Sequence, residues 1–223
     1  MKRGLMKMKI LNLFAGIGGN RTLWGDEHEI TAVEYNQNIA YIYYKRFPND
    51  KIIIGDAWQY FLKHFQEFNF IWASPPCQSH TIIKNIHVGL RYNDKQIRLE
   101  YPDMRLYSLI LFCKHFFRGD YVIENVIPYY KPLIRPTSKI GRHYIWSSKF
   151  IAPRKDIVND IGNLVSDPKY TFEAKGLDLD SIKALNIPKF NYLQIGRNCV
   201  PPDFGKYIFD QITNKNKSIL EYD

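Results

Sequence analysis

The apolar residues of this chain fall into short runs separated by glycine, proline and polar clusters, and their spacing predicts an α/β domain. Residues 9–14 read as a short buried strand, halted by Ala15-Gly-Ile-Gly-Gly19, where glycine permits a tight turn and close approach of another molecule. Residues 20–24 are expected to open a helix. A second strand covers 29–33 and ends at Glu34; Ile39, Ile42, Tyr43 and Phe47 then recur at helical spacing until Pro48 stops them. A third strand spans 51–54, with Gly55-Asp56 at its carboxyl end. Residues 61–65 supply a helical connector, and the strand 68–73 runs straight into Ser74-Pro-Pro-Cys-Gln78.

From 79 to 101 the pattern weakens to scattered polar and basic positions, which read as a long loop. Residues 103–117 carry Leu106, Leu109, Ile110, Cys113 and Phe117 on one helical face. The run 121–126 is a buried strand with Glu124 and Asn125 at its end, and 143–146 a later strand, antiparallel or at the edge. Between 149 and 190 the chain is polar and broken by prolines and glycines, with one short helix hinted at by Leu177, Leu179, Ile182 and Leu185. A helix over 205–212 returns the chain to the main sheet, ahead of a Lys-rich tail expected to fray. Strand and helix alternate at the spacing of a mostly parallel sheet with helices on both faces, which holds its ligands beyond the carboxyl ends of the strands.

Length changes the picture little: 223 residues allow one main domain with a small appendage. The content is 45% hydrophobic and 24% charged, as in an ordinary globular protein, and excludes a disordered chain. Lys and Arg number 31 against 22 Asp and Glu, a net charge of +9 that favours a polyanionic partner. The three cysteines include no CxxC pair and no close histidine partner, so neither a disulfide framework nor a metal site is expected. Cys113 reads as a small buried hydrophobe. No apolar run reaches the roughly 20 residues of a membrane span. A cytoplasmic protein with reduced thiols is the expectation.

The candidate chemistry sits at the strand ends. The turn Phe14-Ala-Gly-Ile-Gly-Gly19 leaves backbone N–H groups open to a nucleoside, but lacks the lysine and hydroxyl of a phosphate loop. Glu34 can accept hydrogen bonds from two ribose hydroxyls, and Asp56 is placed to meet an adenine amino group. Cys77 follows two prolines that fix the backbone, which suits a nucleophile. Glu124 is a carboxyl on a buried strand, either bonded structurally or used as an acid. His80, Lys84 and Arg91, on the long loop, are candidates for contact with a nucleic-acid backbone.

Together Phe14-Ala-Gly-Ile-Gly-Gly19, Pro75-Pro-Cys-Gln78, Glu124-Asn-Val126 and Asn198-Cys-Val-Pro-Pro202 resemble the ordered motifs of the DNA cytosine-5 methyltransferase family. The resemblance implies a Rossmann-like S-adenosylmethionine-dependent methyltransferase fold. It implies a cofactor site in which Phe14 packs on adenine, Ala15, Gly16, Gly18 and Gly19 admit the amino-acid end, Glu34 holds the ribose and Tyr35 flanks the base. Asp56 would bind the adenine amino group beside Ala57 and Pro76, with Asn198 and Val200 closing the far end. Cys77 would attack carbon 6 of a flipped-out cytosine, Glu124 would protonate nitrogen 3, Asn125 would brace the site, and Gln78 would touch the DNA. Arg142 resembles the second arginine of the family's Gln-x-Arg-x-Arg motif, where this chain reads Ser138-x-Ile140-x-Arg142.

The implied layout is a catalytic and cofactor-binding domain over 1–148, a strongly reduced target-recognition region over 149–190, and a segment over 191–223 returning to the catalytic domain. Base sequence is read by side chains presented to groove edges, so a vestigial region leaves little to read with. The expected partner is double-stranded DNA. Two alternatives stand beside a self-sufficient DNA enzyme: a subunit of a two-chain methyltransferase whose partner supplies recognition, and a transfer RNA cytosine-5 methyltransferase.

Overall fold

A computed structural model describes residues 7–81, 91–92, 95–96, 101–154, 167–187 and 191–213. Its main sheet begins with β1 (Lys9–Leu13), β2 (Glu29–Glu34), β3 (Lys51–Ile54) and β4 (Phe70–Ala73), all parallel. After a small antiparallel pair, β5 (Arg91–Tyr92) and β6 (Lys95–Gln96), the sheet is completed by β7 (Asp120–Val126), β8 (Ser138–Ile140) and β9 (His143–Ser147). The strand order is β3-β2-β1-β4-β7-β9-β8, with β7 parallel to β4 and β9 antiparallel to both its neighbours. The order reverses between β1 and β4, which opens a crevice at their carboxyl ends. This is the Rossmann-like architecture implied by the sequence.

Strand alternation sorts the core into two faces. Leu11, Leu13, Val33, Ile71, Ala73 and Ile123 pack beneath α2 (Ala57–His64) and α3 (Arg105–Phe116), through Phe61, Leu106, Leu109 and Ile110. Ile10, Ile30, Phe70, Trp72, Val122 and Ile145 face the opposite way, against Phe204, Ile208, Phe209 and Ile212 of the last helix. On that same face α1 (Gln37–Arg46) lays Tyr43 against Ala32. Asn36 caps α1 by accepting from the backbone N–H groups of Asn38 and Ile39, and Asp56 caps α2 by accepting from Gln59. Cys113 is fully buried, and burial pushes its thiol up to about 12, as befits a packing residue.

The appendage and return consist of α4 (Pro168–Glu173), α5 (Leu179–Lys183), α6 (Tyr192–Asn198) and α7 (Pro202–Thr213). Phe172, Leu177, Leu179, Ile182, Ile187 and Ile195 form one cluster with Ile17 of the glycine turn and Ile42 of α1. The region 167–187 is therefore packed inward on the turn. No helix among the described residues is long and apolar enough to cross a membrane.

Three expectations are corrected. Residues 20–24 do not open an α-helix; they form a single 3-10 turn, Asn20–Leu23. α7 occupies that side of the sheet, with Phe209 stacked on Trp24 at 5.0 Å and Gly205 directly against the Asn20 backbone. The segment read as one long loop contains β5 and β6. The broken stretch and the segment after it hold two helices besides the expected one, α4 and α6. The Lys-rich tail lies outside the described residues.

Candidate active site

The carboxyl edge is built around the turn after β1. Phe14 itself has φ +55°, a left-handed conformation that a bulky side chain seldom adopts and that marks a locally strained turn. Gly16 N donates to Glu34 Oε2 at 3.0 Å and Asn36 N to Glu34 Oε1 at 2.9 Å. Each carboxylate oxygen is thus oriented by one backbone N–H and keeps lone-pair capacity for another donor. A Cβ built on Gly16 would meet nothing within 4 Å, so the turn leaves open room on the Glu34 side. Gly19 is the opposite case: a Cβ there would lie 2.1 Å from the Val200 carbonyl oxygen and 2.3 Å from Cys199 Sγ. The Cys199–Val200 segment before α7 is pressed onto the glycine turn.

Phe14, Trp58, Pro75, Pro76, Leu106 and Leu109 wall a shallow cleft that is open to solvent. Asp56 and His80 supply polar groups, and the Asp103–Arg105 ion pair lies at the same cleft. Flat apolar walls with a carboxylate suit a heteroaromatic ring bearing an amino group. The fold thus brings Phe14, Asp56 and Pro76 together. Ala57 is buried at the first turn of α2, whereas Tyr35 is 79% exposed.

The loop after β4 places Cys77 half-buried, with its carbonyl accepting from the backbone N–H of His80 at 2.9 Å and of Thr81 at 3.0 Å. Asn125, 2% exposed, donates from Nδ2 to the Pro75 carbonyl at 2.9 Å. That bond ties the Cys77 loop to β7. Glu124, 7% exposed, points to the other face of β7, where His143 Nε2 lies 3.5 Å from its Oε1. Arg142 is exposed at the turn between β8 and β9, with its carbonyl accepting from Ile127 N at 3.0 Å.

Two cations that sequence reasoning missed sit behind the turn. Lys175 Nζ donates to the carbonyls of Gly196 at 2.7 Å, Arg197 at 3.1 Å and Cys199. It thereby closes the carboxyl end of α6, where a positive charge is favoured. Burial lowers its pKa, and the nearby Cys199 and Glu124 oppose that shift. Arg46 donates to the Ile17 carbonyl and, at 3.0 Å, to Thr22 Oγ1. Its pKa too is lowered by burial. Burial raises the Cys199 thiol, against the influence of Lys175 and Arg46.

The expected nucleic-acid contacts divide. His80 is corrected: it is 1% exposed, with Nδ1 2.6 Å from Tyr130 Oη, and burial lowers its pKa. The turn from Cys77 folds it inward under Tyr130, so it is a wall of the cleft and not a surface charge. Gln78 is exposed beside Cys77, and Asn198 is exposed at the end of α6. Lys84 lies outside the described residues, and Arg91 falls on β5. Among the described residues no three His, Cys, Asp or Glu side chains gather as a metal site. Trp58 and His143 also went unseen in the sequence. His143 had a usable signal, since it alternates with Ile145 along a strand facing Glu124.

Residues 8–87 match the family model described as C-5 cytosine-specific DNA methylase. Comparison with curated proteins finds no match. Among solved structures the chain is similar to a SAM-dependent methyltransferase from Agrobacterium tumefaciens, at 14% identity and TM-score 0.39, over 56% of this chain and 40% of that one. It is similar to a hypothetical protein of Thermus thermophilus at 15% identity and TM-score 0.42, over 63% and 74% of the two chains. A DNMT2 mutant from Spodoptera frugiperda matches at 26% identity and TM-score 0.36, over 53% of this chain and 35% of that one.

Proposed function

We propose that this chain is an S-adenosylmethionine-dependent methyltransferase that modifies carbon 5 of a flipped-out cytosine in DNA through a covalent bond to Cys77. The observation that carries the reading is the Asn125–Pro75 hydrogen bond. It fixes the Cys77 loop to the strand bearing Glu124, at the sheet edge that also holds the Phe14–Asp56 cleft. The match of residues 8–87 to the cytosine-specific family model supports the same assignment.

The residues fit the cofactor. Phe14, Trp58 and Pro76 offer flat apolar surface to adenine, Asp56 an acceptor for its amino group, and Glu34 an acceptor for the ribose hydroxyls. The open side of Gly16 admits the amino-acid end. When bound there, S-adenosylmethionine supplies an electrophilic sulfonium methyl group.

Carbon 5 of cytosine is too weak a nucleophile to take that methyl unaided. Cys77, as thiolate, forms a bond to carbon 6 while Glu124 gives a proton to nitrogen 3, and the ring becomes enamine-like and reactive at carbon 5. After methyl transfer the carbon-5 proton leaves to a base, the sulfur–carbon bond breaks, and nitrogen 3 returns its proton to Glu124. Extruding the base costs roughly a few kcal/mol, offset by its new contacts. Gln78, exposed next to Cys77, Lys84 and Arg91 are the DNA contacts in this reading; Arg142 lies at the turn leading into the His143 strand.

The test supplies purified protein with labelled S-adenosylmethionine and either duplex DNA or transfer RNA, followed by trapping on DNA carrying 5-fluorocytosine. Label on DNA cytosine, and an adduct lost in Cys77→Ser, are the expected results. Label on transfer RNA alone would transfer the reading to that substrate, and an adduct that survives Cys77→Ser would refute the mechanism. A second reading, in which a partner chain supplies sequence recognition, draws support from the inward packing of residues 167–187 on Ile17 and Ile42. Methylation of bare DNA at a defined sequence by the chain alone would eliminate it.

A further inference from the structure

We propose that the groove between α3 and the segment joining β7 to β8 seats the sugar–phosphate backbone of duplex DNA, held by Lys114, Lys131, Arg135 and Lys139 without regard to base sequence. The inference rests on the methyltransferase reading above only for the identity of the polyanion, and it places backbone affinity on a surface that the sequence motifs leave out.

The charge of the chain is unevenly spread. Between Glu124 and Asp156 the sequence holds seven basic residues and no acidic one, which leaves 24 of the 31 Lys and Arg to face all 22 Asp and Glu. Of the seven, Lys149 is paired with Asp120 at 2.9 Å, and Arg154 lies over the Tyr207 ring. Lys131, Arg135 and Lys139 are exposed and make no ion pair among the described residues. The segment sorts them outward: residues 131, 133, 135, 137 and 139 are exposed, whereas 132, 134 and 136 are half-buried and 138 and 140 buried. Ile134 anchors the segment by packing on the core beneath α3 and by accepting, through its carbonyl, from Trp146 Nε1 at 2.9 Å. The cations therefore project from a fixed backbone.

The groove adds a cation from a second element. Arg135 and, from α3, Lys114 line it together with Tyr121 and Trp146 of the sheet, and no acidic side chain does. Asp120, beside Tyr121, is already held by Lys149 Nζ and by Ser148 Oγ at 2.8 Å. The hydroxyls at the groove are committed too: Thr137 Oγ1 donates to the Ile145 carbonyl at 2.8 Å and Ser147 Oγ to the Lys149 carbonyl at 2.7 Å. What the groove offers is charge with little means of reading bases, which is the character of a backbone contact. Residues four apart, as Lys131, Arg135 and Lys139 are, stand up to about 14 Å from one another along a chain. A single phosphate cannot bridge such a span, whereas duplex DNA carries a charge about every 1.7 Å of its axis and meets every cation along it. In the methyltransferase reading the groove supplies affinity that residues 167–187, packed inward on Ile17 and Ile42, do not.

The probe is a short fluorescent duplex of A·T pairs alone, so that binding does not depend on cytosine chemistry. Its affinity is followed by anisotropy over a series of salt concentrations for three proteins. They are wild type, a groove variant combining Lys114→Gln, Lys131→Gln, Arg135→Gln and Lys139→Gln, and a charge-matched control combining Lys7→Gln, Lys9→Gln, Lys51→Gln and Lys63→Gln. At roughly 0.9 per phosphate contact, the groove variant should lose about 3–4 from the slope of log Kd against log salt and bind roughly 10- to 100-fold more weakly near 0.1 M salt. The control should stay within about three-fold of wild type, and both variants should keep the melting temperature of wild type. An unchanged slope in the groove variant, an equal loss in the control, or wild type that binds no A·T duplex overturns the proposal. Acetylation of wild-type lysines, read by mass spectrometry, gives a second measurement that needs no variant to fold. The duplex should protect Lys114, Lys131 and Lys139 but not Lys9, Lys51 and Lys63, and absence of that protection overturns the proposal. Groove-dependent binding that favours transfer RNA over duplex DNA overturns the choice of DNA. Groove-dependent binding of DNA without methylation of its cytosines overturns the cytosine reading alone and leaves this inference standing.

Discussion

The amide of Asn125 and the carbonyl of Pro75, 50 positions apart in sequence, meet at 2.9 Å and lock the Cys77 loop to β7. Asn125 also accepts, through Oδ1, from Val126 N at 3.0 Å, so its side chain is fixed at both ends. Removing it leaves a carbonyl without its partner and the Cys77 loop without its tether. Asn125→Ala should destabilise the fold by about 1–3 kcal/mol. Because small misplacement of a reacting group costs on the order of 100-fold, kcat should drop far more than cofactor affinity. Denaturant melts and a kcat against KM comparison check this.

Two glycines of one turn should answer differently to alanine. At Gly19 the added methyl would meet the Val200 backbone carbonyl at 2.1 Å, a neighbour that cannot rotate away. Gly19→Ala should cost roughly 1–3 kcal/mol and open the closing segment, with loss of measurable cofactor binding. At Gly16 the space is empty and the penalty is the left-handed backbone at φ +55°, about 1–2 kcal/mol. Gly16→Ala should fold and bind cofactor more weakly. Calorimetric titration of both variants separates the cases.

Arg21 and Asp50 form a buried ion pair, Nε to Oδ2 at 2.9 Å, and Tyr43 Oη donates to the same Oδ2 at 2.8 Å. The pair fastens the exit of the glycine turn to α1 and to the start of β3. Asp50→Ala leaves a guanidinium that is 3% exposed with the solvent-facing Asp26 carboxylate in place of its buried partner, and breaking such a buried pair costs about 3–5 kcal/mol. Urea denaturation should show that loss, while Asp26→Ala, whose carboxylate meets Arg21 at 88% exposure, should change stability by less than about 1 kcal/mol.

Acid should weaken the fold through its buried histidines. Burial lowers the pKa of His80, with Asp103 opposing, and burial also lowers that of His28. Below pH 6.5 the unfolded chain takes up protons that the folded chain refuses, so stability declines as pH falls from 6.5 toward the folded values and levels off beneath them. His80→Phe should flatten part of that decline. Denaturant midpoints at pH 7.5, 6 and 5 for wild type and variant provide the measurement.

Much of the frame was legible in the chain itself. Strand alternation and the spacing of apolar residues located β1 to β4 and β7, and placed Glu34, Asp56, Cys77 and Glu124 at the ends of strands that a parallel sheet gathers on one edge. Those features are local, set by side-chain period and by glycine and proline chemistry, and a local signal survives in one dimension.

What tertiary structure decided was everything governed by partners remote in sequence. Residues 20–23 stop at a 3-10 turn because α7, arriving from the far end of the chain, takes the surface that a longer helix would have covered. His80 turns inward because Tyr130 waits there to bond it, and Lys175 is buried because the end of α6 offers it three carbonyls. α4 and α5 are too short to hold themselves and form by laying Phe172, Leu179 and Ile182 on Ile17 and Ile42. The chain's own periodicity determined which residues reach the sheet's edge; only packing between distant segments, which no local pattern encodes, decided which of them touch.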